Sequence, residues 1–463
     1  SLLAGIAGVL LAGLINLDQT TLTLVMIAAI ASSLLGGFRS FGITLAAAFG
    51  LSALQSVLIK YSPQLTKATT IVGWGDIAPF VVILVFMTIR GAPIPLRGSL
   101  TEMRLPTVPI VRRPLRSAAV IFAIGVALYA IVSGTWADAI SVTMIGGLAC
   151  LSLVVLVGFL GQVSVVQMAL AGLGAFWASM AAQSWGLPFP LPVLIGSLLA
   201  VPFGLLAAVP ALRVRGINLA VLTISAALAL DASFFTDVRL SAGAKFPRAT
   251  LGSVNLSGVQ HPKVYGVFVL ACSLLLGLGV VYLRKSPLGV RFLALRANER
   301  GASALGMSLV RTKLVGFAIA AFIAGVAGGL AGYRSQTLSY DTFGAFQSLL
   351  VVAFAYLGGI GTAIGAFIAG SLLPGGLFAH IFKVQGNAAR VLEAIGGVGV
   401  MLTTVLHPDG LALLPRDFAE RIREHRRGRK TAATTKVKAA AGPETAVPAT
   451  AEEPLPAIEE VAT

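Results

Sequence analysis

Apolar residues in this chain come in long blocks rather than in alternation. Runs of roughly 17–25 recur to beyond residue 400, the length that carries a helix across a hydrocarbon core of ~30 Å. Thirteen candidate spans follow, over about 1–17, 20–36, 41–59, 76–90, 117–133, 139–158, 160–183, 189–209, 216–235, 264–283, 313–333, 345–380 and 391–407. The 345–380 block breaks near Gly358 and Gly359 into two short spans, which makes fourteen crossings. The pattern predicts an all-α, polytopic helical membrane protein; a membrane β-barrel would show short alternating segments. Two places strain a plain helical reading. GQVSVVQMALAGLGAFWASMA (161–181) is rich in Gly, Ser and Gln and reads as a broken or re-entrant element. The Gly36-Gly37 and Gly358-Gly359 turns fit membrane depth only where protein or water satisfies the irregular backbone.

Composition agrees. Of 463 residues 57% are hydrophobic and 11% charged, against about a quarter charged in soluble domains; mean hydropathy is +0.91. The net charge of +16 comes from Lys and Arg gathered in a few loops. That is the positive-inside bias of a membrane protein, and nucleic-acid binding is set aside. The basic regions are the linker 91–116, with Arg97, Arg104, Arg112, Arg113 and Arg116, the loop from Arg284 to Lys313, and the tail after Pro415. Six predicted spans separate the first from the second and four the second from the third, so all three fall on one side, the cytoplasmic one. Cys150 and Cys272 lie in apolar runs and read as small hydrophobes.

The linker 91–116 is rich in Pro and Arg and reads as a junction between two membrane domains, 1–90 and 117–415. Residues 416–463 form a basic, then acidic tail whose Ala/Thr/Pro/Glu/Lys composition predicts disorder. An internal repeat supports the division. LAGIAGVLLAG (3–13) matches IAGVAGGLAG (323–332), and LLGGFRSFGITLAAAFG (34–50) matches YLGGIGTAIGAFIAGSL (356–372), at offsets of about 320 and 322 residues. Both copies cross in the same sense, so the halves are parallel rather than inverted. The second copy follows a charged loop and several spans, whereas the first opens the chain. The expectation is therefore an incomplete first half, with about 200 further residues upstream of Ser1 or on another chain. Gly5, Gly8, Gly13, Gly325, Gly328, Gly329 and Gly332 at near-four-residue spacing suit close helix approach, which generic packing explains as well.

The loop LRKSPLGVRFLALRANERGASALGMSLVRTK (283–313) is the most specific stretch. Pro287 and Gly289 break the exit from the preceding span, Leu293 to Leu305 predict a short helix bearing Arg296, Glu299 and Arg300, and Gly306 ends it. Such a helix along the membrane face is a surface that a soluble motor can push. The plain reading is a basic loop. No G-x-x-x-x-G-K-[ST] phosphate loop occurs, since GRKT (428–431) lacks the upstream Gly. Paired carboxylates, a nucleophile motif and metal-spaced His or Cys are also missing, and His261, His380, His407 and His425 are scattered, so no metal site and no catalysis are expected of this chain.

The loop resembles a motif of the branched-chain amino-acid ABC importer permeases. The resemblance rests on Ser286-Pro-Leu-Gly289-Val-Arg291, Leu295-Arg296-Ala-Asn298-Glu299 and Gly306, followed by Lys313, Gly316-Phe317, Ala324-Gly325 and Ala327-Gly328. Leu357-Gly358-Gly359-Ile-Gly361-Thr362 with Gly365, GQVSVVQMALAGLGAF and LRVRGINLAVLTIS (212–225) resemble further family elements. The likeness to the M-type subunit covers about 117–415, while 1–90 resemble the C-terminal part of the H-type subunit, so the chain looks like a fusion of the two. Three departures fall near the expected substrate path: SAGAKFPRATLG (241–252) replaces a T-G-G-x-x-G segment, Gln167 and Met168 stand where Gly and His are frequent, and 217–219 lack an aromatic.

The resemblance implies a permease of the bacterial cytoplasmic membrane, C-terminus inside, that moves small neutral substrates, branched-chain amino acids first among them, by alternating access. It implies an ABC ATPase dimer carrying ATP and Mg2+ as partner, an extracytoplasmic solute-binding protein, the lipid bilayer, and a second permease chain or the upstream half; no cofactor binds this chain. Arg296, Asn298, Glu299, Arg300 and Gly306 are expected to couple it to the ATPase. Gln162, Ser164, Gln167, Asn218, Thr223, Asp231, Gly358 and Gly359 are expected along the substrate path. Asp231, an ionisable residue in a predicted span, reads equally as a solvated outer-end group, and Glu393 shares that ambiguity. The alternatives are a secondary transporter or channel, which would need coupling carboxylates or His in the bilayer core, and a membrane scaffold.

Overall fold

A computed structural model describes residues 2–13, 25, 28–29, 31–33, 35–37, 40–69, 75, 81–82, 86, 113–212, 217–231, 235, 245–251, 254–337, 340–381 and 410–413. The spans expected over 20–36, 76–90 and 391–407, most of the linker, Glu393 and the tail lie wholly or largely outside them.

The described chain is helical. Early in it lie α1 (Leu2–Ala12) and α2 (Phe41–Thr69). Then come α3 (Pro114–Ile131), α4 (Gly134–Leu153), α5 (Gln167–Gln183), α6 (Leu191–Ala211), α7 (Ile217–Leu230) and α8 (Pro262–Lys285). Two loop helices follow, α9 (Pro287–Ala297) and α10 (Glu299–Ala304), then α11 (Leu309–Ser335), α12 (Ala345–Gly358), α13 (Ala363–Leu372) and α14 (Leu377–Ile381). A two-residue hairpin pairs Thr250 with Asn255 and Leu251 with Val254. Among the described residues six helices are long and apolar enough to cross a membrane: α2, α3, α4 with its extension to Phe159, α6, α8 and α11.

The packing runs through α5, α6 and α11, which lie against one another, and α4, which α8, α11 and α13 flank. Small residues make the first contact possible. A Cβ on Gly328 of α11 would fall 1.7 Å from the Ala171 carbonyl of α5, and one on Gly174 of α5 would fall 2.4 Å from Gly325 Cα. The α11 glycines of the repeat therefore do seat backbone on backbone. The α1 copies differ: among the described residues a Cβ on Gly5 or Gly8 would meet nothing within 4 Å, and Ile6, Val9 and Leu10 beside them are exposed.

Helix direction alternates. Lys263 at the start of α8 donates to Ala130 O at the end of α3 (3.1 Å), and Arg334 at the end of α11 pairs with Asp138 at the start of α4 (2.7 Å). These groups mark one end of the bundle; the α8–α11 loop lies at the other. From the loop end, residues 360–380 run antiparallel along α4: Ile360 lies at Gly158, Phe367 at Gly147, Leu377 N donates to Thr143 Oγ1 (2.8 Å), and His380 meets the Trp136 ring edge-on at 4.6 Å. The block expected to hold two short spans is thus α12, then α13 and α14 interrupted around Pro374. At 14 residues α12 reaches only ~21 Å.

The repeat has a structural signature. Gly37 (φ +65) and Gly359 (φ +110) are both left-handed. Three residues on, Ser40 Oγ accepts from Ile43 N (3.4 Å) and Thr362 Oγ1 from Gly365 N (2.9 Å), and α2 and α13 begin one residue later. Each copy is a glycine turn followed by a hydroxyl N-cap.

Candidate functional site

The loop after α8 folds as two helices, not the single one expected over 293–305. Ser286 ends α8 and starts α9, its Oγ accepting from Gly289 N (3.2 Å). Asn298 is extended (φ −157, ψ 103), and its Oδ1 accepts from Gly301 N (3.0 Å) to cap α10. An Asx side chain offering its own cap competes with helix continuation, so the break falls at Asn298. Gly306 (φ +76) ends α10, with Met307 N reaching back to Ala302 O (3.2 Å). Phe292, Leu295 and Ala302 point inward and are buried, while Arg291, Asn298 and Arg300 are exposed, with Val290 at 59% and Leu305 at 82%.

The inward face of this pair grips the break that follows α4. There α4 widens into a π turn over Val154–Phe159, with Leu160 N bonded to Val155 O (3.2 Å) and Gln162 N to Leu156 O (2.9 Å). Gly161 (φ +71) turns the chain, and residues 161–166 run as irregular backbone to α5. The broken element expected over 161–181 is this one, and α5 starts only at Gln167. Arg296 donates to the Gly158 carbonyl. A Cβ on Gly161 would sit 2.8 Å from Arg296 Cγ, so the approach requires glycine. Burial pushes the Arg296 guanidinium below its ordinary range, with Tyr356 acting in the opposite sense; it stays a cation at neutral pH. Glu299 Oε1 accepts from Gln162 Nε2 (3.3 Å) and pairs with Lys313 Nζ of α11 (3.1 Å). The Lys313 and Glu299 side chains are 3% and 12% exposed. Arg284 reaches the Gly361 carbonyl (3.5 Å) and lies over the Phe159 ring at 5.7 Å.

Beyond Gln162 the strip is buried and polar. Val165 N donates to Thr223 Oγ1 of α7 (3.0 Å), Ser152 Oγ to Gln167 Oε1 (3.1 Å), and Gln167 Nε2 to Ser164 Oγ (3.5 Å). Ser164, Gln167 and Thr223 are each at most 1% exposed. The structure therefore places Gln162, Ser164, Gln167 and Thr223 on or against one strip and joins Gln162 to Glu299, while Arg296 holds the Gly158 carbonyl just before it. Gly358 and Gly359 form the α12–α13 turn at the same end, Gly359 capping α12. Arg300 and Gly306 lie on the loop's outer side. Asp231 is half-buried just past α7, apart from this cluster, and the Asn218 side chain lies outside the described residues. Lys313 and Ser152 complete the network and were not singled out as site residues. A lysine four residues into an apolar helix was the available signal for the first; a serine among apolar neighbours carried none.

A family profile described as "Branched-chain amino acid transport system / permease component" matches residues 135–391, more than half of the chain. The chain belongs to this permease family. The permease is 28% identical over 303 residues, 60% of its own length and 70% of theirs, to the high-affinity branched-chain amino acid transport system permease protein LivM of Escherichia coli and of Salmonella typhimurium. Over 133 residues, 27% of this permease and 37% of the relative, it is 31% identical to the xylose/arabinose import permease protein XylH of Sulfolobus acidocaldarius. No solved structure matches it. It is a permease component of ABC-type transport, a multi-pass membrane protein whose relatives are translocation subunits.

Proposed function

We propose that this permease moves branched-chain amino acids across the bacterial cytoplasmic membrane, driven by ATP hydrolysed on a partner dimer that carries the nucleotide and Mg2+. The observation that carries this is the two-faced loop. Outward, α9 and α10 present Val290, Arg291, Arg300 and Leu305, a mixed apolar and cationic face suited to a soluble protein. Inward, Arg296 and Glu299 hold the break between α4 and α5. A partner that displaces the loop moves the buried strip with it, without needing an ionisable relay in the bilayer core. The loop end is then cytoplasmic, as its Arg and Lys content favours, and a solute-binding protein delivers substrate at the end marked by Asp138 and Arg334. The matching glycine turns at Gly37 and Gly359 support reading residues 1–90 as the end of a first permease half in the same chain.

The XylH match favours a second substrate class, a pentose. The test is uptake into proteoliposomes holding the permease, the ATPases encoded beside it and their binding protein, with leucine, isoleucine, valine, xylose and arabinose offered in turn. ATP-dependent uptake of the amino acids, lost on deletion of 296–305 while ATP hydrolysis persists, is the expected result. Pentose uptake alone moves the substrate class, and uptake driven by an ion gradient without ATPase overturns the importer reading.

A further inference from the structure

Helix α5 begins inside the protein without a cap. Its 17 residues start at Gln167 after the irregular strip, Val166 at the N-cap offers no side-chain bond, and the first turn holds no acidic residue. The amides of Gln167, Met168 and Ala169 have no acceptor within the helix. Val166 and Ala169 are fully buried, so the positive end of the α5 dipole lies in a dry interior.

A second, separate observation concerns α12. Ser348 is 1% exposed, and its Oγ has no hydrogen-bond partner among the described residues. Most buried hydroxyls have one, and an unpaired one is costly. Its direction follows from its neighbours along α12. Val351, one turn on, sets its carbonyl 3.9 Å from Cys150 Sγ of α4. Leu349 and Val352 pack on the Val165–Ile224 cluster, and Ala345 belongs to the cluster of Val166, Ala169 and Leu170. Residues three and four apart share a helix face. Ser348 therefore points between α4 and α7, toward the start of α5, and Phe343 beside Gly172 sets α12 at matching depth.

We propose that the α5 N-terminus and the Ser348 hydroxyl together bind the carboxylate of a small aliphatic amino acid in transit. Backbone amides at a helix start are a ready anion site. Ser348 adds a donor from the opposite wall, and Val165, Ile224, Leu349 and Val352 give a branched side chain an apolar neighbourhood. The inference deepens the importer reading and rests on it for the class of solute.

The test uses the full chain in lipid nanodiscs, measuring thermal stabilisation by leucine and by leucinamide, which lacks the carboxylate, together with uptake in the complete proteoliposome system. Leucine stabilises the wild type and leucinamide does not. Ser348→Ala raises the leucine KM about tenfold, the loss of one hydrogen bond to a charged group, and Ser348→Thr, which keeps the hydroxyl, restores it. Equal stabilisation by leucinamide, or an unchanged KM in Ser348→Ala, overturns the proposal. Uptake of pentoses with no leucine binding overturns it while leaving the importer reading intact. Absence of any ATP-driven uptake removes the importer reading, and the nanodisc arm then decides the site alone.

Discussion

Glu299 Oε1 lies 3.3 Å from Gln162 Nε2, across 137 residues of chain, and 3.1 Å from Lys313 Nζ. One carboxylate thus ties the loop to the α4–α5 break and to the second turn of α11. Any displacement of α10 must either carry both partners with it or break a buried ion pair.

The pair should behave as a buried one. Lys313→Met strips the cation from a carboxylate only 12% exposed, with an expected cost of about 3–5 kcal/mol. Glu299→Gln with Lys313→Met should recover most of that, since two neutral side chains remain. Thermal unfolding of the purified protein checks this. Equal stability of the single and double variants would show that the pair contributes little.

The bond to Gln162 should matter for coupling more than for stability. Gln162→Leu removes one partly buried hydrogen bond, worth about 1 kcal/mol. In proteoliposomes the expected outcome is a several-fold fall in solute moved per ATP hydrolysed, with ATP turnover retained. A proportional fall in both would sink the mechanical link.

Glycines of similar spacing should respond in opposite ways. Gly328→Ala drives a methyl to 1.7 Å from the Ala171 carbonyl, which forces α5 and α11 apart. The expected loss is about 1–3 kcal/mol. Gly8→Ala meets nothing within 4 Å among the described residues and should be neutral or gain up to about 1 kcal/mol of helix propensity. The comparison reads out as melting temperature.

The repeated turn predicts paired effects. Thr362→Val and Ser40→Ala each delete an N-cap and should cost about 1 kcal/mol. Gly359→Ala places a side chain at φ +110 and should cost about 1–3 kcal/mol more. If Ser40→Ala is silent while Thr362→Val is not, the two copies are not structurally equivalent.

At the far end, Arg334 and Asp138 are 30% and 44% exposed. Asp138→Asn should cost at most about 1 kcal/mol, and less at high salt. A larger loss in chemical denaturation would mean that the pair is shielded from water.

Much of the fold was legible along the chain. Long apolar blocks have one solution in lipid, because a backbone without water must bond to itself, and α3, α4, α6, α8 and α11 begin and end within a few residues of the expected spans. The glycine-and-hydroxyl repeat was legible too, since a left-handed turn and an N-cap are local demands on residue type. The loop helix was legible in place but not in form. Asn298 splits it because a cap is decided by one side chain competing with the backbone, which periodicity does not record.

The meeting of Gln162 with Glu299 and of Arg296 with the Gly158 carbonyl belongs to the tertiary structure alone. Each joins residues remote in sequence, and hydropathy carries no information about partners. Glu299 looked like a loop charge and Gln162 like one more polar residue in a weak span. Only helix packing, close enough at Gly174, Gly325 and Gly328 for backbones to touch, brings the loop under the break and turns two ordinary polar side chains into one joint.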